Sequence, residues 1–289
     1  MTNPAIPAGL PPKVGVLGGG RMGAGIAHAF LVKGSHVVVV ERDSEAADAA
    51  RGRVEDAVGK SLARGLAGNA ADYTSRLLVT TDYASFGDRE LVVEAVPELW
   101  DLKVSSLRAV EAELGNGAVL ASNTSSLSVN GLADELDRPQ DFLGLHFFNP
   151  VPASTLIEVV VGKKTSEPLA AAARDWVEAL GKTAVVVNDA PGFASSRLGV
   201  AIALEAMRMV EEGVASAEDI DNAMVLGYKH PTGPLRTTDI VGLDVRLGIA
   251  EYLHETLGER FAPPQILREK VARGELGRKT GKGFFDWSR

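Results

Sequence analysis

Apolar and polar positions along this chain fall into two regimes. From Lys13 to about residue 188, short β-branched runs alternate with stretches of helical length. Runs at 14–17, 36–40, 91–95, 118–122 and 142–148 predict buried strands, with helices near 21–33, 44–66 and 99–114 between them. A strand at 156–161, a helix at 168–180 and a strand at 183–188 continue the series. Such alternation builds βαβ units, so the pattern predicts an α/β domain with a mostly parallel sheet.

After Asp189-Ala190-Pro191-Gly192 the strand pattern stops. An alanine- and methionine-rich helix at 198–210 ends at Gly213. Ser216, with Asp219 three residues on, reads as a variant capping box opening a helix that stops near Gly227. Pro234 and the run 243–257 mark two more helices. The chain therefore reads as a sheet domain over 13–190 and a smaller all-α domain over 191–289. The first twelve residues hold four prolines and no positive charge, which fits a flexible arm rather than a signal peptide.

Composition narrows the function. Thirty basic against thirty-eight acidic residues give a net charge of −8, the wrong sign for a nucleic-acid partner. The absence of cysteine excludes disulfides, thiolate metal sites and a cysteine nucleophile, and fits a cytoplasmic protein. Five scattered histidines show no metal-ligand spacing, so no metal is expected. No apolar run reaches the roughly 18 residues of a membrane span, and no membrane partner is expected.

Gly18-Gly19-Gly20-Arg21-Met22-Gly23 places G-x-G-x-x-G directly after the first strand and at the start of a helix. In that context Gly18 permits the tight turn and Gly20 the close approach of a pyrophosphate. Gly23 lets helix and strand pack, with the phosphates at the positive helix end. The second strand ends at Glu41, 18 residues past Gly23. A carboxylate there accepts hydrogen bonds from a ribose diol and repels a 2′-phosphate, which favours NAD over NADP. Arg42 beside it leaves some NADP use open.

His146 stands at the end of a predicted strand, and Glu158 twelve residues on lies in the otherwise apolar Leu-Ile-Glu-Val-Val-Val run. A buried carboxylate is costly unless paired, and a histidine with an orienting acid has the form of a general base. A second polar cluster, Ser122-Asn123-Thr124-Ser125-Ser126, follows another strand at the same sheet end; its plainer reading is a helix cap.

These residues carry a family resemblance. GGGRMG, VVEAVPE, SNTSSL, GLHFFNPVP, DAPGF, EDIDNAM, GYKHPTGP, DIVGLD and GRKTGKGFF occur in order from about Lys13 to Trp287, and the chain resembles the 3-hydroxyacyl-CoA dehydrogenases, near the 3-hydroxybutyryl-CoA type. The resemblance implies an NAD-binding Rossmann domain, a helical domain that forms a homodimer, and oxidation of an L-3-hydroxyacyl-CoA in β-oxidation-type fatty acid metabolism. It implies His146 as base, Glu158 as its orienting acid, Ser125 at the substrate oxygen and Asn149 at the nicotinamide. It implies cofactor contacts from Gly18, Gly20, Met22, Gly23, Glu41, Glu98, Lys103, Asn123 and Lys279.

Two departures stand out. The family's catalytic asparagine, before arginine in its PGF…NR motif, is Ser196 here, which either acts on the substrate or caps the next helix. Arg53, Lys60 and Arg64 share one helical face, and Lys60 and Arg64 are candidates for the coenzyme A moiety, yet the family's serine nearby is Ala57. A solvated basic face accounts for them equally well. Other readings stay open at this point. They are the same fold acting on a free sugar acid or a carrier-bound hydroxyacyl group, and a non-catalytic NAD-binding protein.

Overall fold

The computed structural model describes residues 9–288. Most of the arm expected at 1–12 lies outside the described residues. The chain divides into two compact units after Asp189.

The first unit is built on eight strands: β1 (Lys13–Leu17), β2 (His36–Val40), β3 (Leu77–Thr80), β4 (Leu91–Glu94), β5 (Val119–Ser122), β6 (Phe142–Phe147), β7 (Leu156–Val161) and β8 (Thr183–Asn188). They form one sheet in the order β3-β2-β1-β4-β5-β6-β7-β8. Every neighbouring pair is parallel except β6 and β7, which run antiparallel. The strand order reverses between β1 and β4, and in such sheets the crevice beyond the carboxyl ends at that point receives the ligand. This is a Rossmann-type sheet.

Its helices are α1 (Arg21–Leu31), α2 (Ser44–Leu62), α3 (Ala70–Thr74), α4 (Trp100–Glu113), α5 (Val129–Asp134) and α6 (Glu167–Ala179). The central strands are buried over almost their whole length, as their unbroken valine and leucine runs require. Phe30 of α1 packs in this core with its ring 6.5 Å from that of Phe147. Truncating such a fully buried ring to alanine costs about 3–5 kcal/mol.

The second unit is helical: α7 (Ser195–Glu211), α8 (Ala217–Asn222), α9 (Pro234–Val241), α10 (Leu243–Leu257) and α11 (Gln265–Ala272). Leu204, Met207, Leu235, Leu253 and Leu267 form its core. Ser216 caps α8 by accepting from the Asp219 backbone N–H at 3.1 Å, and a π-helical turn carries the chain on to Gly227. Buried Asp239 ties down the chain end, accepting from the backbone of Phe284 and Phe285 and from the Trp287 indole. Among the described residues no helix is long and apolar enough to cross a membrane.

Strand β3 and the helices α3, α5 and α11 are additions to the sequence reading. Helix α2 also ends at Leu62 rather than near 66, where Gly65 takes the left-handed conformation, φ +97°. Ser128, outside the serine cluster, caps α5. Ser196 is not a cap either: Ala194 holds that position of α7, and Ser196 lies in the first turn.

Candidate active site

Three glycines shape the mouth between β1 and α1, each differently. Gly18 has φ +86°, and a Cβ there would lie 3.2 Å from the Ala95 carbonyl oxygen. Gly20, the N-cap of α1, faces open space. A Cβ on Gly23 would stand 1.7 Å from the Gly18 carbonyl oxygen, so any side chain would pry helix from turn. Met22 lies in the first turn of α1, where N–H groups have no partner within the helix, and its side chain packs on the core. Glu41, at the end of β2, accepts from the Gly19 backbone N–H at 2.6 Å. Arg42 points away and pairs with Asp43 at 3.0 Å. The open N-terminus at Gly20 and the carboxylate beside it fit a dinucleotide pyrophosphate and ribose.

The next strand end holds a buried ion pair that motif reading passed over. Lys103 of α4 donates to both carboxylate oxygens of Glu94, at 2.7 and 3.0 Å, and both side chains are at most 1% exposed. Ser122 and the Val96 backbone N–H fill the remaining sites on Glu94. The signal for Glu94 was available: it is a carboxylate ending the otherwise apolar run of β4. Lys103 therefore acts inside the protein, with Glu98 3.4 Å from its ammonium.

Glu98 organises the serine cluster. Its Oε1 accepts from Thr124 Oγ1 at 2.6 Å and from the backbone N–H groups of Ser125 and Ser126 at 2.8 and 3.0 Å. Burial works against its charge, but Lys103 and these donors outweigh it and hold the carboxyl below its usual range. Asn123 turns inward, its Oδ1 accepting from the Phe147 backbone N–H at 2.8 Å and tying this loop to the end of β6.

Antiparallel pairing of β6 and β7 sets His146 directly opposite Glu158. Nδ1 of His146 lies 2.8 Å from Glu158 Oε2, with the carboxylate 1% exposed and the histidine 7%. The Phe148 ring covers the imidazole with centroids 4.3 Å apart. Just beyond, Asn149 is exposed and lines a cleft of about 430 Å³ between α1, α2 and residues 149–153. Arg21, Arg53, Lys60 and Arg64 also line it, so the basic face of α2 meets a cleft rather than bulk solvent alone. Ser61 joins them, its Oγ 2.9 Å from Nε2 of buried His28.

Two site candidates belong to the helical unit. Ser196 is in the first turn of α7, and Lys279 pairs with Asp244 of α10 at 2.6 Å. Among the described residues no group of three or more His, Asp or Glu side chains is placed to hold a metal ion.

The family model for the 3-hydroxyacyl-CoA dehydrogenase NAD-binding domain matches residues 13–190, and that for the C-terminal domain matches residues 192–287. The chain is 41% identical over 277 residues to a probable 3-hydroxybutyryl-CoA dehydrogenase of Deinococcus radiodurans, covering 95% of this chain and all of that one. A 3-hydroxybutyryl-CoA dehydrogenase of Mycobacterium tuberculosis is 40% identical, over 95% of this chain and 98% of its own. The crystal structure of (S)-3-hydroxybutyryl-CoA dehydrogenase from Ralstonia eutropha superposes with a TM-score of 0.92 at 36% identity, covering 96% of this chain and 100% of that one. With both domain models matched in order and the dinucleotide mouth in place, the chain belongs to the 3-hydroxyacyl-CoA dehydrogenase family and is an NAD-dependent oxidoreductase.

Proposed function

We propose that His146 and Glu158 are the proton-transfer pair with which this enzyme interconverts an L-3-hydroxyacyl-CoA, of the 3-hydroxybutyryl-CoA type, and its 3-oxoacyl-CoA. The observation that carries this is the 2.8 Å contact between His146 Nδ1 and a carboxylate buried to 1% exposure. Glu158 fixes the ring and its tautomer, which directs Nε2 to the substrate hydroxyl proton. Glu158 then offsets the charge of the imidazolium. The chemistry that NAD supplies when bound is that of a hydride acceptor.

Ser125, oriented through Glu98, hydrogen-bonds the substrate oxygen. Glu41 takes the ribose diol, and Asn149 contacts the nicotinamide. Gly18, Gly20, Met22 and Gly23 form the phosphate mouth; Asn123 and Lys103 support it from behind, through Phe147 and Glu94. Lys279 adds a cofactor contact from the helical unit. The four cations of the cleft suit the phosphates of coenzyme A, with Lys60 and Arg64 making the contacts. The enzyme works as a cytoplasmic homodimer in fatty acid β-oxidation. Initial rates of NADH formation test the reading. Turnover of 3-hydroxybutyryl-CoA, lost in His146→Ala, is expected; oxidation of free 3-hydroxy acids with no activity on any thioester overturns it.

A further inference from the structure

The cleft between α1, α2 and residues 149–153 lies wholly within the first unit. Among the described residues none of its four cations, Arg21, Arg53, Lys60 and Arg64, forms a salt bridge, and Asp56 is the one carboxylate in the wall. On a chain of net charge −8, that gathering of unpaired positive charge suits a multiply charged anion. Ser61 lines the same wall, half-buried on α2 and four residues after Ala57, so both share one face of the helix. Ala57 brings only a methyl group there, and Ser61 brings a hydroxyl.

That hydroxyl is held from behind. Its Oγ lies 2.9 Å from Nε2 of His28, on α1, which is 4% exposed. Among the described residues this is the one hydrogen bond of the Ser61 side chain, and Nδ1 of His28 is buried without a partner. Burial pulls the imidazole below the usual histidine pKa, and the nearby Lys182 charge pulls it further, so the ring is neutral at neutral pH. A neutral ring carries one N–H. Orphaned buried N–H groups are rarer in proteins than under-used acceptors, so the proton belongs on Nε2 and Nδ1 keeps its lone pair. Nε2–H then donates to Ser61 Oγ, and the hydroxyl proton is left to point into the cleft.

We propose that Ser61 is a specificity-determining residue that donates a hydrogen bond to a phosphate of the substrate's coenzyme A, with His28 as its positioning residue. The proposal rests on the 3-hydroxyacyl-CoA reading. The dinucleotide cofactor also carries phosphates, and the experiment separates the two sources.

Initial rates are compared for 3-hydroxybutyryl-CoA and for the same acyl group on N-acetylcysteamine, which has no phosphate. Wild type is expected to favour the coenzyme A thioester. Ser61→Ala should reduce that preference in kcat/KM about tenfold, with the loss in KM rather than kcat. His28→Leu should reproduce the loss, and His28→Gln, whose amide can donate in place of the imidazole, should recover most of it. Calorimetric titration gives a readout without turnover: Ser61→Ala should weaken adenosine 3′,5′-bisphosphate about tenfold and NAD far less. If no thioester is turned over while Ser61→Ala still weakens the bisphosphate, the phosphate site stands and the thioester reading falls. Weakening of NAD instead of the bisphosphate overturns the proposal, since the hydroxyl then serves the cofactor. So does a Ser61→Ala enzyme with its thioester preference intact and a His28→Leu enzyme changed only in Tm, because the pair is then a tie between α1 and α2.

Discussion

Glu98 Oε1 accepts from the backbone N–H of Ser125 at 2.8 Å and also meets the Ser125 hydroxyl at 3.3 Å. One carboxylate thus holds in place the loop that carries a substrate-contact candidate. Its pKa is depressed in the fold, because Lys103 and the loop donors overcome the cost of burial. Its stabilisation is present above the ordinary value of 4.5 and is lost as pH falls through the lower folded value. Glu98→Gln should therefore flatten the acid limb of a Tm-against-pH curve below about pH 4.5, and raise KM by roughly tenfold at neutral pH. An unchanged acid limb would show that the loop is held by other means.

Replacement of His146 by alanine should lower kcat by about 10²–10⁴-fold while NAD affinity, read by fluorescence titration, stays within a few-fold. Glu158→Gln keeps the shape but not the charge and should lower kcat more than it alters KM. Full turnover in either variant removes the pair from the mechanism.

Glu41→Ala should weaken NAD binding and narrow the gap to NADP by roughly tenfold, since one charge repulsion and one ribose contact vanish together. Arg42, now paired with Asp43, is then the nearest cation for a 2′-phosphate. Wild type turning over NADP better than NAD would contradict the assignment.

Helices α7, α9 and α10 expose Leu198, Ile202, Ile240, Val241 and Val245, a load of apolar surface that a small helical unit leaves uncovered. Light scattering should give twice the 30.4 kDa chain mass at micromolar concentration. Leu198→Asp should shift it toward the monomer. A monomeric wild type would exclude the dimer.

Ser196→Asn restores the amide that the family carries. It should raise kcat/KM on 3-hydroxybutyryl-CoA severalfold and lower it on substrates with a larger acyl end. A panel of thioesters that responds nowhere would leave Ser196 without a role at the substrate.

The long elements were legible from their residue patterns: β2, β7, β8 and α10 lie over the ranges those patterns predict, although β8 keeps its valine run with no residue fully buried. β3 was not, since four residues with alternating burial carry little pattern. The caps of α3 and α5, Asn69 with Asp72 and Ser128, were present in the sequence without an apolar run long enough to draw notice. At the site, the partnership of His146 with Glu158 followed from the cost of a carboxylate among valines. The same logic applied to Glu94 predicts a paired carboxylate, and the fold supplies Lys103 as the partner.

Because β6 and β7 are paired by backbone register, the placement of Glu158 against His146 does not depend on the connection between them. Residues 149–153 of that connection line the cleft, anchored where Lys182 donates to the Val151 carbonyl at 2.7 Å. A change of residues 150–153 therefore reshapes the cleft wall while the imidazole–carboxylate geometry, set by strand register alone, stays where it is.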